Sequence, residues 1–163
     1  MRPKPHEHPH LLKTILPQPH PLPIHTYSHP NLLKQSTQNF HCQIPKTHTI
    51  IKDITPFQTH LFPPPYPNLT QQIITHLPNQ NLYPINSSSH SLHSNQIPQP
   101  QITNNLFNNI HPPTILFIHD PHHSTIHLSN TPNSLHTIIP TLKQQAYHFL
   151  TLPQLFHIPY PKN

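Results

Sequence analysis

A chain of 163 residues with 26 prolines and no glycine has few ways to turn. Glycine enters the left-handed region of backbone space without steric cost, so each turn or helix end that needs a positive φ must use another residue, asparagine being the first expectation. Proline fixes its own φ and donates no hydrogen bond, which limits helices to positions that tolerate a lost donor and strands to short runs or edges. Only 32% of the residues are hydrophobic and 7% charged. Such a composition leaves two outcomes open: a fold with a thin core, or a disordered Pro/His-rich chain that binds metals loosely at many places.

The scarce residue types share a property. Valine and tryptophan are absent like glycine, Met1, Arg2, Glu7, Cys42 and Ala146 are the sole representatives of their types, and Asp53 and Asp120 are the only aspartates. Every codon for these residues contains guanine, whereas the remaining types can be written without it. The coding strand is therefore nearly guanine-free, and the excess of histidine and proline belongs to the nucleic acid before it belongs to the protein.

Eight Lys and Arg against three acidic residues give a net charge of +5, and 20 histidines add to it in acid, since imidazole titrates near pH 6.5 or so. Lys13, Lys34, Lys46, Lys52, Lys143 and Lys162 are scattered singly, without the clustered basic face of a nucleic-acid binder, so no nucleic-acid partner is expected. Cys42 is alone, which rules out an internal disulfide. The densest apolar patch, Thr114 to Ile118, suits a buried strand and falls far short of a membrane span, so no stable membrane insertion is expected. The opening "MRPKPHEHPH" has no apolar stretch after its basic residues and does not read as a signal peptide.

Helix and strand signals alternate. Phe40, Ile44, Ile51 and Ile54 recur near helical spacing after Ser36, which predicts a helix over 36–54 with Ser36 as N-cap and Pro45 as an internal defect. Asn68 to Leu77, capped by Asn68, and Gln101 to Ile110, with Ile102, Leu106 and Ile110 on one face, are further helix candidates. Thr131 as cap with Pro132 at the first position predicts a helix that buries Leu135, Ile138, Ile139 and Leu142. Between them lie the strand-like runs "PLPIHTYS", "HLFPPP", "LYPINSS", "TILFIHD" and "YHFLTL". That alternation predicts an α/β arrangement with parallel strands.

"HTYSHP", His25 to Pro30, places two histidines four apart, a spacing at which two imidazoles can share one metal. Spacing alone carries little here: random placement of 20 histidines yields roughly two or three such pairs, and the chain has four, His6/His10, His25/His29, His119/His123 and His123/His127. His90, His93, His122, His123 and His127 are most simply products of composition.

The text around the motif adds specificity. "EHPHLLKTILPQPHPLPIHTYSHPNLL" resembles the region of the polysaccharide deacetylases (NodB homology domain) in which a helix and strand lead into His-Thr-Tyr-Ser-His-Pro. "LFPPPYPN" is similar to that family's Phe-Arg-Pro-Pro-Tyr-Gly segment and "LYPINSSSHSLHS" to its Trp-Ser-Val-Asp-Ser-x-Asp-Trp segment. "PTILFIHDPHHSTIHLSNTPNSLHTIIPTLKQQAYHFLTLPQL" resembles the closing Leu-x-His-Asp strand end, long helix and final strand. Order and spacing agree from about Glu7 to Leu155. This resemblance implies one polysaccharide deacetylase-like domain over 7–155 with disordered ends at 1–6 and 156–163. It implies a partial, distorted (β/α) barrel lacking the family's first strand and helix.

By the same resemblance the chain is a metal-dependent carbohydrate N-deacetylase, a hydrolase acting on N-acetylglucosamine-containing polysaccharide of the peptidoglycan or chitin type, outside the cell or in its envelope. His25 and His29 would hold a divalent metal, usually zinc in the family, which polarises the acetamide carbonyl and activates water. The backbone N–H of Tyr66 would help hold the oxyanion, His119 would protonate the leaving amine, and Pro64, Pro65 and Phe117 would line the substrate site. The family's Thr-Phe-Asp-Asp-Gly-Pro motif, source of the third ligand and the base, is absent from the sequence. Pro63 and Pro67 replace an arginine and a glycine, and His90 replaces an aspartate, each close to a guanine-to-cytosine change, through mutational bias or an artefact of the read. The activity of the chain is expected to be impaired.

Overall fold

Ser36 starts the longest helix, as its spacing to Phe40 and Ile44 predicts. The computed structural model describes His10, Thr14, Ile15 and residues 20–54, 60–118 and 129–158, which divide into one unit of Met1–Ile85 with Leu150–Asn163 and another of Asn86–Phe149. Helix α1 spans Thr37–Ile54. The Ser36 hydroxyl oxygen accepts the Asn39 N–H at 3.2 Å, taking one of the donors that a helix start leaves over. Phe40, Ile44 and Ile51 form its buried stripe. Pro45 lies inside the helix on its exposed side, where water can take the carbonyl that its missing N–H leaves.

Strands β1 (Leu61–Phe62) and β2 (Tyr83–Pro84) pair in parallel with Leu61 opposite Tyr83. Ile24 joins this edge by donating its N–H to the Leu61 carbonyl at 2.9 Å. The parallel order expected from the sequence is present, and the strands are far shorter than their apolar runs. Proline explains this: Pro63 follows β1 directly and Pro84 ends β2, and neither donates to a ladder. Between the strands runs α2 (Gln71–His76), capped by Thr70, whose hydroxyl accepts the Ile73 N–H at 3.3 Å. The cap is thus Thr70 and not Asn68, because the helix begins a turn later than its polar run. Phe40 and Phe62 meet edge to face, ring centres 5.8 Å apart, in a cluster completed by Ile24, Leu32, Ile44, Ile51, Ile73, Leu77 and Leu82.

Residues 152–156 of the same unit form α5 (Leu152–Phe156), closed at its start by a reciprocal capping box between Thr151 and Gln154. Of the disordered end expected over 156–163, Phe156 belongs to this helix and His157 to its cap, while 159–163, like the expected disordered end 1–6, lie outside the described residues.

In the second unit α3 (Gln99–Asn109) packs on α4 (Asn130–Gln144) through Leu106, Ile138 and Leu142. The α4 start differs from expectation: the helix begins at Asn130, so Thr131 lies inside it and its Oγ1 is buried without a hydrogen-bond partner. The buried stripe is accordingly Thr131, Ser134, Ile138 and Leu142, while Ile139 is exposed and Leu135 half-buried. "TILFIHD" yields one parallel bridge, Leu116 to Ser89, with Ser88 donating to the Ile115 carbonyl at 2.9 Å. "YHFLTL" forms no strand, and Phe149 and Leu150 are exposed. Two buried clusters and capped helices give the disordered alternative no support.

Without glycine, seven described residues adopt positive φ: Thr26, His29, Asn81, Leu92, Gln96, Ala146 and His157. Only Asn81 is the expected asparagine. Ala146, at φ 62, ends α4 with the Tyr147 N–H on the Leu142 carbonyl at 2.9 Å, a helix end at which glycine avoids the Cβ clash. Ala146→Gly is expected to stabilise the chain by about 0.5–1 kcal/mol, read as a rise in thermal midpoint.

His48 on α1 has a buried Nε2 without a hydrogen-bond partner. Burial, and secondarily the neighbouring His60, hold its pKa below the ordinary histidine value. The unfolded chain therefore takes up this proton first. The stability contributed by neutral His48 is complete above about pH 6.5 and is lost as the pH falls below it. Thermal melts between pH 7.5 and 5.5 are expected to lose less stability in His48→Leu than in the wild type.

Candidate metal centre

The chain from Ile24 to Tyr27 alternates as an extended segment should. Ile24 and Thr26 are buried, and His25 between them is exposed. With Ile24 bonded to Leu61, the His25 ring lies beside the residue following β1, and its Nδ1 meets the Pro63 carbonyl at 2.6 Å. A carbonyl oxygen only accepts, so Nδ1 carries the proton and the lone pair of the neutral ring is on Nε2. Backbone-to-imidazole bonds of this kind orient histidines as metal ligands.

The loop then reverses. Thr26 has φ 65 and His29 φ 54, and the Thr26 hydroxyl oxygen accepts the His29 N–H at 3.2 Å. A β-branched residue in the left-handed region costs on the order of 1–3 kcal/mol, and such strain concentrates at functional loops. The reversal brings the His25 and His29 ring centres to 5.0 Å. Two imidazoles on one tetrahedral ion, with metal–nitrogen bonds of about 2.1 Å, hold their ring centres about 5 Å apart, so the pair fits two corners of a divalent metal site. Among the described residues no group of three or more His, Cys, Asp or Glu is placed to hold a metal.

Tyr66 meets His29 edge to face, ring centres 5.5 Å apart, and is exposed. Pro65 beside it is half-buried and Pro64 is buried, and the exposed part of this segment is Tyr66 and Pro67. Phe117 is half-buried in the second unit. His119 lies outside the described residues.

A second imidazole pair, His41 of α1 and His76 of α2, has ring centres 5.2 Å apart. One nitrogen of each ring meets a neighbouring group: the Gln80 amide approaches His41 Nδ1 at 3.4 Å, and His76 Nδ1 donates to the Gln72 carbonyl at 2.6 Å. In a chain with 20 histidines such a meeting needs no further explanation.

One site residue escaped the sequence. The Gln43 side-chain oxygen, on α1, accepts the Tyr27 N–H at 3.0 Å, the Ser28 N–H at 2.9 Å and the Ser28 hydroxyl at 3.2 Å. Its only signal was a polar position beside the apolar pair Phe40 and Ile44.

A model of the polysaccharide deacetylase family matches residues 2–84, half of the chain and the whole of the "HTYSHP" and "LFPPPYP" segments. The chain belongs to the polysaccharide deacetylase family. The peptidoglycan-N-acetylglucosamine deacetylase of Bacillus cereus is 30% identical over 148 residues, covering 91% of this chain and 53% of that protein. The peptidoglycan-N-acetylglucosamine deacetylase PgdA of Listeria monocytogenes is 27% identical over 151 residues, covering 92% of this chain and 30% of its own length. This deacetylase-family chain thus spans about half the length, or less, of these curated relatives. Among solved structures, a peptidoglycan N-acetylglucosamine deacetylase superposes with TM-score 0.88 at 28% identity, covering 95% of this chain and 72% of the other. A CE4 family pseudoenzyme from Bacillus anthracis superposes with TM-score 0.83 at 22% identity over 93% of this chain and 51% of its own. The fold is the mixed α/β fold of these CE4 deacetylases. No helix among the described residues is long and apolar enough to cross a membrane.

Proposed function

We propose that this deacetylase-family chain is a metal-dependent N-deacetylase of N-acetylglucosamine-containing glycan, peptidoglycan foremost, acting in the cell envelope or outside the cell, with impaired turnover. The observation that carries this is the His25/His29 pair, with one imidazole oriented by the Pro63 carbonyl and ring centres 5.0 Å apart. The relatives named above supply the substrate class. Imidazole nitrogen suits zinc, with cobalt, nickel and copper as chemical alternatives.

When bound, the metal supplies Lewis-acid polarisation of the acetamide carbonyl and a water nucleophile. The chain's own residues would do the rest. His25 and His29 would hold the ion through ring nitrogens. The Tyr66 backbone N–H donates to the developing oxyanion, with Pro65 fixing the turn that presents it. By the family resemblance His119, which lies outside the described residues, would be the proton donor to the leaving amine. Pro63 and His90 stand where the family has an arginine and an aspartate, so the groups that orient acid and base are changed, and the turnover is correspondingly low.

Acetate release from N-acetylglucosamine oligosaccharides and from acetylated peptidoglycan, with zinc or cobalt supplied, tests this function. Slow release by the wild type that disappears in His25→Ala/His29→Ala is the expected outcome. Release that persists in the double variant would remove the pair from the reaction.

A further inference from the structure

The loop that carries the two histidines adopts a shape that its own residues do not favour. It contains two left-handed residues, Thr26 and His29, neither of which favours that conformation, and its exposed members His25, Ser28 and His29 contribute no core packing. Inside it, the Thr26 hydroxyl oxygen accepts the His29 N–H. The spacing of the two imidazoles must therefore be imposed from outside the loop.

We infer that Gln43 is the positioning residue that imposes it: from α1 its side-chain oxygen gathers the Tyr27 N–H, the Ser28 N–H and the Ser28 hydroxyl, and so fixes the span between His25 and His29. This rests on the metal role proposed above for the pair. The two amides are consecutive, so a single acceptor sets the direction of both peptide planes midway between the histidines. Lys46, one turn further along α1, adds a second hold on the same span, its ammonium lying 5.5 Å from the centre of the Tyr27 ring. Phe40 and Ile44, which flank Gln43 in sequence, anchor this part of α1 in the core. Order thus passes from the core, through α1 and one amide oxygen, to the two imidazoles.

The acceptor is also overdrawn. An amide oxygen has two lone pairs and here meets three donors, between 2.9 and 3.2 Å. A carboxylate at this position would accept the same bonds with more lone pairs and with charge assistance. Gln43→Glu should therefore hold the loop at least as well as the wild type. Gln43→Leu keeps the approximate volume and the helix propensity while removing the acceptor.

The test compares wild type, Gln43→Leu and Gln43→Glu as full chains by two readouts. Hydrogen exchange at the Tyr27 and Ser28 amides reports the hold on the loop. Cobalt(II) titration, followed by its visible absorption, reports the affinity of the pair. Gln43→Leu is expected to lose protection at both amides and to bind cobalt roughly ten- to a hundredfold more weakly, the range for removing a group that orients ligands. Gln43→Glu is expected to restore both, with affinity equal to or above that of the wild type. A general loss of stability would not be rescued in this paired way. Unchanged protection in Gln43→Leu overturns the proposal, as does lost protection with unchanged cobalt affinity. A wild-type chain that takes up no cobalt at the pair overturns the metal role instead, and the exchange data alone then decide whether Gln43 holds the loop.

Discussion

Phe40→Ala is expected to bring the first unit close to unfolding. Phe40 is fully buried and meets Phe62 edge to face at 5.8 Å, at the point where α1 lies against β1. Truncation of a buried phenylalanine costs about 3–5 kcal/mol through lost transfer energy and the cavity left behind. A domain of this size has a total stability of only about 5–15 kcal/mol, and this chain has few large apolar side chains with which to repack. Urea unfolding followed by far-UV circular dichroism is expected to show the midpoint falling by a third or more. An unfolding free energy within about 1 kcal/mol of the wild type would mean that Phe40 is not part of a packed core. Because α1 carries both Phe40 and Gln43, the same variant should also weaken metal binding.

His25→Ala/His29→Ala is expected to lower zinc affinity by more than about a hundredfold, since it removes both imidazoles where loss of a mere orienting group costs 10–100-fold. Binding to the folded state alone stabilises by about 2.7 kcal/mol at a ligand concentration a hundred times Kd. Zinc should therefore raise the thermal midpoint of the wild type by several degrees and leave that of the double variant unmoved. The His41/His76 pair provides an internal comparison: His41→Ala should retain the zinc-induced shift. A shift that survives in the double variant and disappears in His41→Ala would place the metal between α1 and α2.

The parts of this fold legible in the sequence are those whose signals survive the loss of guanine-coded residues. Isoleucine, leucine, phenylalanine, serine and threonine need no guanine, so the Ser36 cap and the Phe40, Ile44 and Ile51 stripe of α1 could be read directly. The α4 start was misread because Thr131-Pro132 has the form of a helix entry, whereas the helix begins at Asn130 and buries the Thr131 hydroxyl. Strand length was overestimated because an apolar run such as "HLFPPP" says nothing of donors, and Pro63 and Pro84 end the ladder after two residues. The turns were unreadable by composition: with glycine absent, positive φ falls on Thr26, His29, Leu92, Gln96, Ala146 and His157, residues that carry no turn signal. The histidine pair could be singled out from its three rivals only through the resemblance of its surroundings. Gln43 had no legible role, since its bonds to Tyr27 and Ser28 join residues 15 or more apart in sequence.

The most direct test of the metal centre is zinc X-ray absorption on the chain loaded with one equivalent of zinc. Two imidazoles bound through nitrogen at about 2.0–2.1 Å, the ordinary zinc–histidine distance, are the expected result, with that signal absent from His25→Ala/His29→Ala. Three or four imidazoles per zinc, or a spectrum unchanged in the double variant, would contradict it and leave the metal spread over the other histidines.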